Sequence, residues 1–439
     1  MNKLLRNSFI TLGVVATTYV FFKSEYPCKL FKYNCQPEVT LSEKVPIDVV
    51  DTYEKGHFVV TFPPNSDTAA IVKSLLERGW LRISICPCSP YLQYWIDPTP
   101  DGSNTGTASG GSTPGVIPTD VNITPNYNIS VSDINNNVGG TINTNSNNTG
   151  QPVKIATIDS GVDFNNSSLS NSLFRNGTRN LVVCNSLIQD GIYGLNMLYR
   201  IGESPEPMDA DGHGTFINGI LSNNYRAPNH TNFENSGVSL QLLNVKFYNN
   251  RASGGKLYDA LCGIYYALNN GASVINASWK VRPQDADIPI VSNAFYYTLS
   301  SLKSRNAMLV ASAGNDPNPT ITILPASLNN RWNRFFYNNI ITVGSSNNNS
   351  RSTFSGRGDW VDIYAPGERI TSIYPNNQVM DGWGTSYATP IISRAVGILR
   401  GLNPDAAPDF IKKTLLKNHS DRENNDGILM LRFNSNLTQ

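Results

Sequence analysis

No block of like charge interrupts this sequence. Charged residues make up 15% of its 439 positions and the formal net charge is +1. A surface without a basic stripe or patch gives nucleic acid and anionic membranes nothing to hold, so neither is expected as a principal partner. No Cys-x-x-Cys pair and no Cys/His cluster with metal-binding spacing occurs, so no spacing of that kind suggests zinc. Histidine is scarce: His57, His213, His230 and His419 are the only four. Any reaction that needs an imidazole therefore has few places to find one. The Gly-x-Ser-x-Gly nucleophile elbow of α/β-hydrolases is also absent around the most conspicuous serine, because Tyr387 and Ala388 follow Ser386.

Long apolar runs are nearly absent too. One begins at Ser8 and ends at Phe22, after Lys3 and Arg6. Its basic flank and position read as an export signal over residues 1–23, and membrane contact is expected only through residues 4–22. The run is about 15 residues, short of the roughly 20 that span a bilayer, yet no Ala-x-Ala cleavage signature follows it. A cleaved signal and a retained anchor are both compatible with it, with the anchor slightly favoured. Localisation is therefore expected to be exported, either secreted or anchored. Six cysteines fall as Cys28 and Cys35, Cys86 and Cys88, and the separate Cys184 and Cys262. In an exported chain the first pairs are expected to form disulfides. A Cys86–Cys88 ring would be strained, so a partner at Cys28 or Cys35 is as plausible. Cys262 lies on an apolar helical stripe and reads as an inert core residue.

The length suggests more than one unit. Residues 47–97 carry a β-α-β pattern, HFVVTF, SDTAAIVKSLLERGW and LRISICPCSPYLQYWID, with Ser66 and Asp67 as cap candidates for an amphipathic helix through Ala70, Ile71 and Leu75. Residues 98–151 change to Gly, Ser, Thr, Asn and Pro and read as a flexible linker. From 152 to 439 short apolar strands alternate with helices: VKIATI, LQLLNVKF, ASVINAS, AMLVASAGN and NIITVGS, with GKLYDALCGIYYALNNG closed by Asn270-Gly271. Continuous apolar strands separated by helices predict an α/β fold, a mostly parallel sheet with helices on both faces. Functional groups in such sheets collect at the carboxyl ends of the strands.

Three stretches occupy those ends or the helix starts beside them: Ile158-Asp159-Ser160-Gly161, Asp211-Gly212-His213-Gly214-Thr215, and Gly384-Thr385-Ser386-Tyr387-Ala388-Thr389-Pro390. A serine hydroxyl is a poor nucleophile unless an imidazole takes its proton, and the imidazole needs a carboxylate to fix its tautomer. His213 alone of the four is flanked by glycines, which makes it the base. The chain order Asp159, His213, Ser386 is neither the chymotrypsin nor the α/β-hydrolase order.

With these residues the sequence resembles the subtilisin-like serine peptidases, or subtilases (peptidase family S8). The matching stretches are IATIDSGVD, DADGHGTFINGI, GASVINAS, LVASAGND, ITVGSS, STFSGRG, VDIYAPG and GTSYATP, in order, from about Lys154 to Leu416. The resemblance implies a three-layer subtilisin-like catalytic domain over 152–439, preceded by a small α+β N-terminal domain. It implies a serine endopeptidase acting on polypeptides, with Asn315 and the Ser386 backbone N–H forming the oxyanion hole and with Ser278, Trp279, Ala313 and Gly314 lining the substrate. No cofactor is required by that chemistry, and the calcium sites frequent in the family map onto no named residue here. The N-terminal domain is similar to pro-segments that plug the cleft, so it is expected to be an intramolecular inhibitor removed by self-processing in the linker. Nothing in the sequence calls for an oligomer, and a monomer is expected.

Some positions depart from the family pattern. Trp279 and Lys280 stand where a leucine and glycines are usual, and Asp159 and His213 lie 54 positions apart, which implies an insertion around Phe174 to Pro207. Two readings from other classes use the same residues: a silent relative serving as a binding module, and an esterase.

Overall fold

A computed structural model describes residues 51–64, 66–99, 121–131, 133–137, 152–175, 191–199, 204–228, 237–330, 337–347, 350–418, 420–421 and 430–431. The apolar run before Lys23, His230, His419, Cys28, Cys35 and Cys184 lie outside the described residues.

Val45–Gln439 form one compact unit, and its N-terminal part, here termed the N-terminal domain, begins with β1 (Tyr53–Thr61), α1 (Thr68–Glu77), β2 (Leu81–Ile85) and β3 (Leu92–Ile96). Of the two cap candidates Asp67 takes the role, its carboxylate accepting from the Ala69 N–H at 3.0 Å. Alternation in β1 sends Phe58 and Val60 toward α1, where they meet Ile71, Leu75, Trp80 and Trp95, while Val59 points to the opposite face. The expected linker is not structureless. Its part Asn122–Ile129 forms β4, antiparallel to β1 in a five-stranded sheet, and Ile134–Asn137 forms β5. Glycine and serine cluster in 102–115, whereas Ile123, Tyr127 and Ile129 give β4 apolar side chains to bury.

The large sheet is built from β6 (Val153–Asp159), β7 (Gly194–Asn196), β9 (Leu240–Lys246), β11 (Val274–Ala277), β12 (Met308–Ser312), β13 (Ile340–Asn347) and β15 (Ile363–Pro366), all parallel in the order β15-β13-β12-β11-β6-β9-β7. Between these, β8 is Tyr225–Arg226, β10 is Gly255–Lys256 and β14 is Ser350–Arg351. Helices α3 (Leu257–Asn269) and α4 (Ile288–Ser304) cover one face, and α2 (His213–Leu221) and α5 (Thr385–Leu402) the other. Both faces are therefore apolar: Ile155, Val274, Met308 and Val310 face α5, while Ala156, Ile158, Ile275 and Leu309 face α3 and α4. The described part of the insertion after Phe174 contributes β7 at the sheet edge. The hairpin β16 (Ile370–Tyr374) and β17 (Gln378–Trp383) turns at Asn376 and Asn377, both with positive φ (60° and 56°), the conformation a tight right-twisted hairpin requires.

The N-terminal domain lays the second face of its sheet on α3 and α4. The Thr124 hydroxyl donates to the Ile290 carbonyl, Tyr127 to Asp287, and the Tyr258 N–H donates to Asn126. This packing also decides the cysteine pairing. Cys86, just after β2, is bonded to Cys262 in the middle of α3, with Cα atoms 5.6 Å apart. Cys262 is thus no inert core thiol; the strained Cys86–Cys88 ring does not form, and Cys88 is disulfide-bonded as well. The sequence shows both residues but not the docking that brings them together.

Pro390 stands inside α5, beyond the first turn, so its missing N–H leaves the carbonyl of Ser386 without a helical partner. The Ser278 hydroxyl supplies that partner, donating to the Ser386 carbonyl at 2.8 Å. A buried carbonyl that would otherwise cost about 1–3 kcal/mol is satisfied, and Ser386 is fixed to the end of β11.

Candidate active site

Each candidate residue sits where a strand ends or a helix begins. Asp159 is the last residue of β6, Ser278 follows β11, Ala313 to Asn315 follow β12, His213 opens α2 and Ser386 is second in α5. Gly212 caps α2 at φ +98°, where a side chain would also strike the Tyr374 ring. Segments far apart in the chain thus converge at one end of the sheet.

His213 is fully buried, and its Nδ1 lies 2.8 and 3.0 Å from the two oxygens of Asp159. The carboxylate is itself held by the Ser160 N–H at 2.7 Å and the Tyr248 hydroxyl at 2.9 Å. Burial, followed by the charge of Asp159, keeps the Tyr248 hydroxyl protonated well past its ordinary range, so it remains a donor. Sequence reasoning missed Tyr248. Its only signal there is its place just beyond the end of β9, the neighbour of β6.

Asn315 accepts from both the N–H and the hydroxyl of Thr385, each at 3.0 Å. Those two donors fix which end of the amide is oxygen and leave Nδ2 as the donating end. The Ser386 hydroxyl donates to the Ser278 carbonyl at 3.0 Å. Ala313 and Gly314 continue from the end of β12, where the Gly356 N–H donates to the Gly314 carbonyl at 2.8 Å. The Trp279 side chain does not line the cleft as expected: it is 1% exposed and stacks with Phe295 and edge-on with Phe247. Those two rings and the surrounding core give the indole apolar surface to bury.

A further residue from the segment 98–151 occupies the centre of this arrangement. Ser130 bridges antiparallel to Lys280, β5 adds to the edge of β17, and between them Asp133 extends its side chain among these groups. One Asp133 oxygen lies 3.3 Å from His213 Nε2, and the other accepts from Asn315 Nδ2 at 3.0 Å. Its carbonyl accepts from Arg251, whose guanidinium pairs with Asp211 at 2.9 Å. Gly384 makes the approach sterically open, since a Cβ there would fall 1.5 Å from Asp133 Oδ1.

Burial alone would lower the pKa of His213, but Asp159 and Asp133 on its two nitrogens outweigh it and raise the pKa to about 10. The two carboxylates thus favour the protonated imidazole, the form with no lone pair for a serine proton. A raised histidine pKa means the attraction is fully present below the ordinary value near about 6.5 and is lost as pH rises through the raised value. Asp133→Asn is expected to move the titration of His213 downward by removing one of these carboxylates. NMR of the His213 ring protons in Ser386→Ala chains checks this, and identical titrations with and without Asp133 would contradict it.

Among the described residues no group of three or more His, Cys, Asp or Glu is assembled to hold a metal ion, and no helix is long and apolar enough to cross a membrane.

Residues 150–433 match the Peptidase_S8 profile, the subtilase family. The chain belongs to the subtilase family. The subtilase match begins after the N-terminal domain, and relatives match over comparable lengths. The thermophilic serine proteinase of Bacillus sp. (strain AK1) is 29% identical over 56% of this chain and 51% of its own. The cell wall-associated protease of Bacillus subtilis (strain 168) is 30% identical over 49% of this chain and 22% of its own. The chain thus spans about half the length, or less, of these relatives. The crystal structure of the epidermin leader peptide processing serine protease (EpiP) from Staphylococcus aureus superimposes with a TM-score of 0.61 at 17% identity, covering 88% of this chain and 98% of that one. A likeness at that identity is one of fold, and 88% coverage is more of the chain than residues 150–433.

Proposed function

We propose that this subtilase is an exported serine endopeptidase, and that its N-terminal domain with the segment to 151 is an inhibitory pro-segment that it cuts itself. The observation that carries the reading is the convergence of Asp159, His213, Asn315 and Ser386 at the carboxyl end of one parallel sheet, with a strand of the chain's own linker laid across them.

In the proposed reaction the Ser386 Oγ attacks the carbonyl carbon of a peptide laid beside Lys280. His213 Nε2 takes the hydroxyl proton and then gives it to the leaving amine, and Asp159 stabilises the imidazolium between those steps. The negative charge on the carbonyl oxygen is met by Asn315 Nδ2 and the Ser386 N–H, a donor left without a helical partner in the first turn. Water resolves the acyl-enzyme by the same path in reverse. Tyr248 positions Asp159 from outside the reacting atoms.

In the present arrangement Asp133 takes both the proton-accepting face of His213 and the amide of Asn315, so the site is occupied and charged in the wrong sense for catalysis. Self-processing then requires the Asp133 carboxylate to leave, which frees the Ser386 hydroxyl to turn from Ser278 to His213. The bonds beside Asp133, whose carboxylate meets His213 and Asn315, are the proposed place of cleavage. Export agrees with the basic-flanked apolar run at residues 4–22 and with the cell wall-associated relative.

Following intact mass of the purified chain and its Ser386→Ala variant over time tests the processing. The expected result is a cut between 98 and 151 in the serine-containing chain only. A native chain that degrades casein while remaining whole would overturn the pro-segment reading.

A further inference from the structure

Cleavage of a pro-segment ordinarily leaves two pieces held by contacts alone. Here the pieces share a covalent bond, because Cys86 lies before every bond of the segment 98–151 and Cys262 lies after it. We propose that the cut chain persists as a disulfide-linked pair of fragments, and that reduction by thiol–disulfide exchange, at Cys86–Cys262 and at the disulfide that Cys88 also makes, is the step that releases the N-terminal domain. The inference rests on the processing reading above and adds its regulation.

The bond sits inside the docking surface. Cys86 and Cys262 are each about 1% exposed, within the cluster that includes Val59, Leu92, Tyr127, Leu261 and Tyr265. Polar contacts ring it: Tyr258 to Ser84 at 3.0 Å and Asn269 to the Cys88 carbonyl at 3.3 Å. A second link holds the start of the domain, where the Asp51 N–H donates to the Arg282 carbonyl and the Arg282 N–H donates to the Asp51 carboxylate. Cutting the segment near Asp133 removes none of these.

A tether changes the mass action. A linked domain meets its own cleft at an effective concentration on the order of millimolar, whatever the dilution of the protein. An untethered domain leaves once the protein is diluted below its dissociation constant. The linked form is therefore insensitive to dilution, and the reduced form is not.

The chemistry needs a dithiol as co-reactant. Its thiolate attacks one sulfur, the Cys86–Cys262 bond breaks, and one cysteine departs as thiolate while the other forms a mixed disulfide with the reagent. The second thiol of the reagent then displaces that cysteine, so the protein ends with two thiols and the reagent with a disulfide. Because both sulfurs are buried, attack follows a local opening of the domain from α3, and weakening the docking contacts accelerates it. An extracellular setting keeps the bond until such a dithiol is met.

The test uses the whole protein after self-cleavage, with free thiols alkylated. Without reductant, one species is expected, heavier than the intact chain by one water, and a digest should contain Cys86 and Cys262 in a single linked peptide. With dithiothreitol, two fragments are expected. Specific activity on a peptide substrate should stay constant over about 100-fold dilution before reduction and rise on the same dilution after it. Fragments that part without reductant, or a digest that pairs Cys86 elsewhere, would overturn the proposal. If no self-cleavage occurs, the processing reading fails by itself. The tether is then tested in Ser386→Ala nicked between 102 and 118 by an added metallopeptidase, where separation without reductant again overturns it.

Discussion

Replacing His213 by alanine is expected to lower kcat for peptide hydrolysis by about 10⁶, the scale measured when the equivalent base is removed from subtilisin, a member of the same family. The size follows from the site. Ser386 has no second base within its elements, and the remaining described histidine, His57, lies in β1 of the N-terminal domain, where it contacts Tyr94 and Glu54. KM for a peptide should change little, because the imidazole acts on a proton that moves only in the transition state. Steady-state kinetics on the processed enzyme and its variant, with the variant processed by added native enzyme, measure the ratio. A loss of less than about 100-fold would place the base elsewhere.

Asn315→Ala carries the second large effect, a fall of about 100- to 1000-fold in kcat, a figure that comes from subtilisin itself. Thr385 holds the Asn315 oxygen by two bonds, which restrains the amide and leaves Nδ2 as a donor once Asp133 has gone. A preset donor stabilises the charge that develops on the carbonyl oxygen more than the neutral ground state, so the loss falls on kcat with KM nearly unchanged. The same substitution removes the hydrogen bond that Asn315 gives Asp133, so the uncut variant should also hold its linker more loosely. An unchanged kcat would mean that a different donor meets the oxyanion.

Much of this site is legible in the sequence because its chemistry is local. An acid at the end of an apolar strand, a histidine between glycines and a serine opening a helix each mark a position in an α/β sheet by residue type and spacing alone. The strands are legible for the same reason: Ile155 and Ala156 must both be apolar when helices cover both faces. What escapes the sequence depends on docking between distant segments. Asp133 lies in an Asn- and Gly-rich stretch with no periodic signal, and its role comes from Ser130 and β5 pairing to strands far along the chain. Cys86 and Cys262 stand 176 positions apart, and only the packing of one domain on α3 makes them partners. Trp279 misleads in the opposite direction, because a residue beside a substrate-binding strand can turn its side chain inward. Pro390 shows a related limit: its tolerance comes from the Ser278 hydroxyl, distant in the chain, and not from its place in the helix.

The central claim is that Asp159, His213 and Ser386 work together as a nucleophilic triad once Asp133 is displaced. Labelling with a fluorophosphonate, followed by peptide mapping, tests it most directly. The account predicts one label per chain, on Ser386, after processing and reduction, slow labelling of the uncut chain, and none in His213→Ala; casein cleavage that runs in parallel separates a peptidase from an esterase. A processed, folded chain whose Ser386 takes no label would contradict the account and leave a subtilase scaffold that binds without cutting.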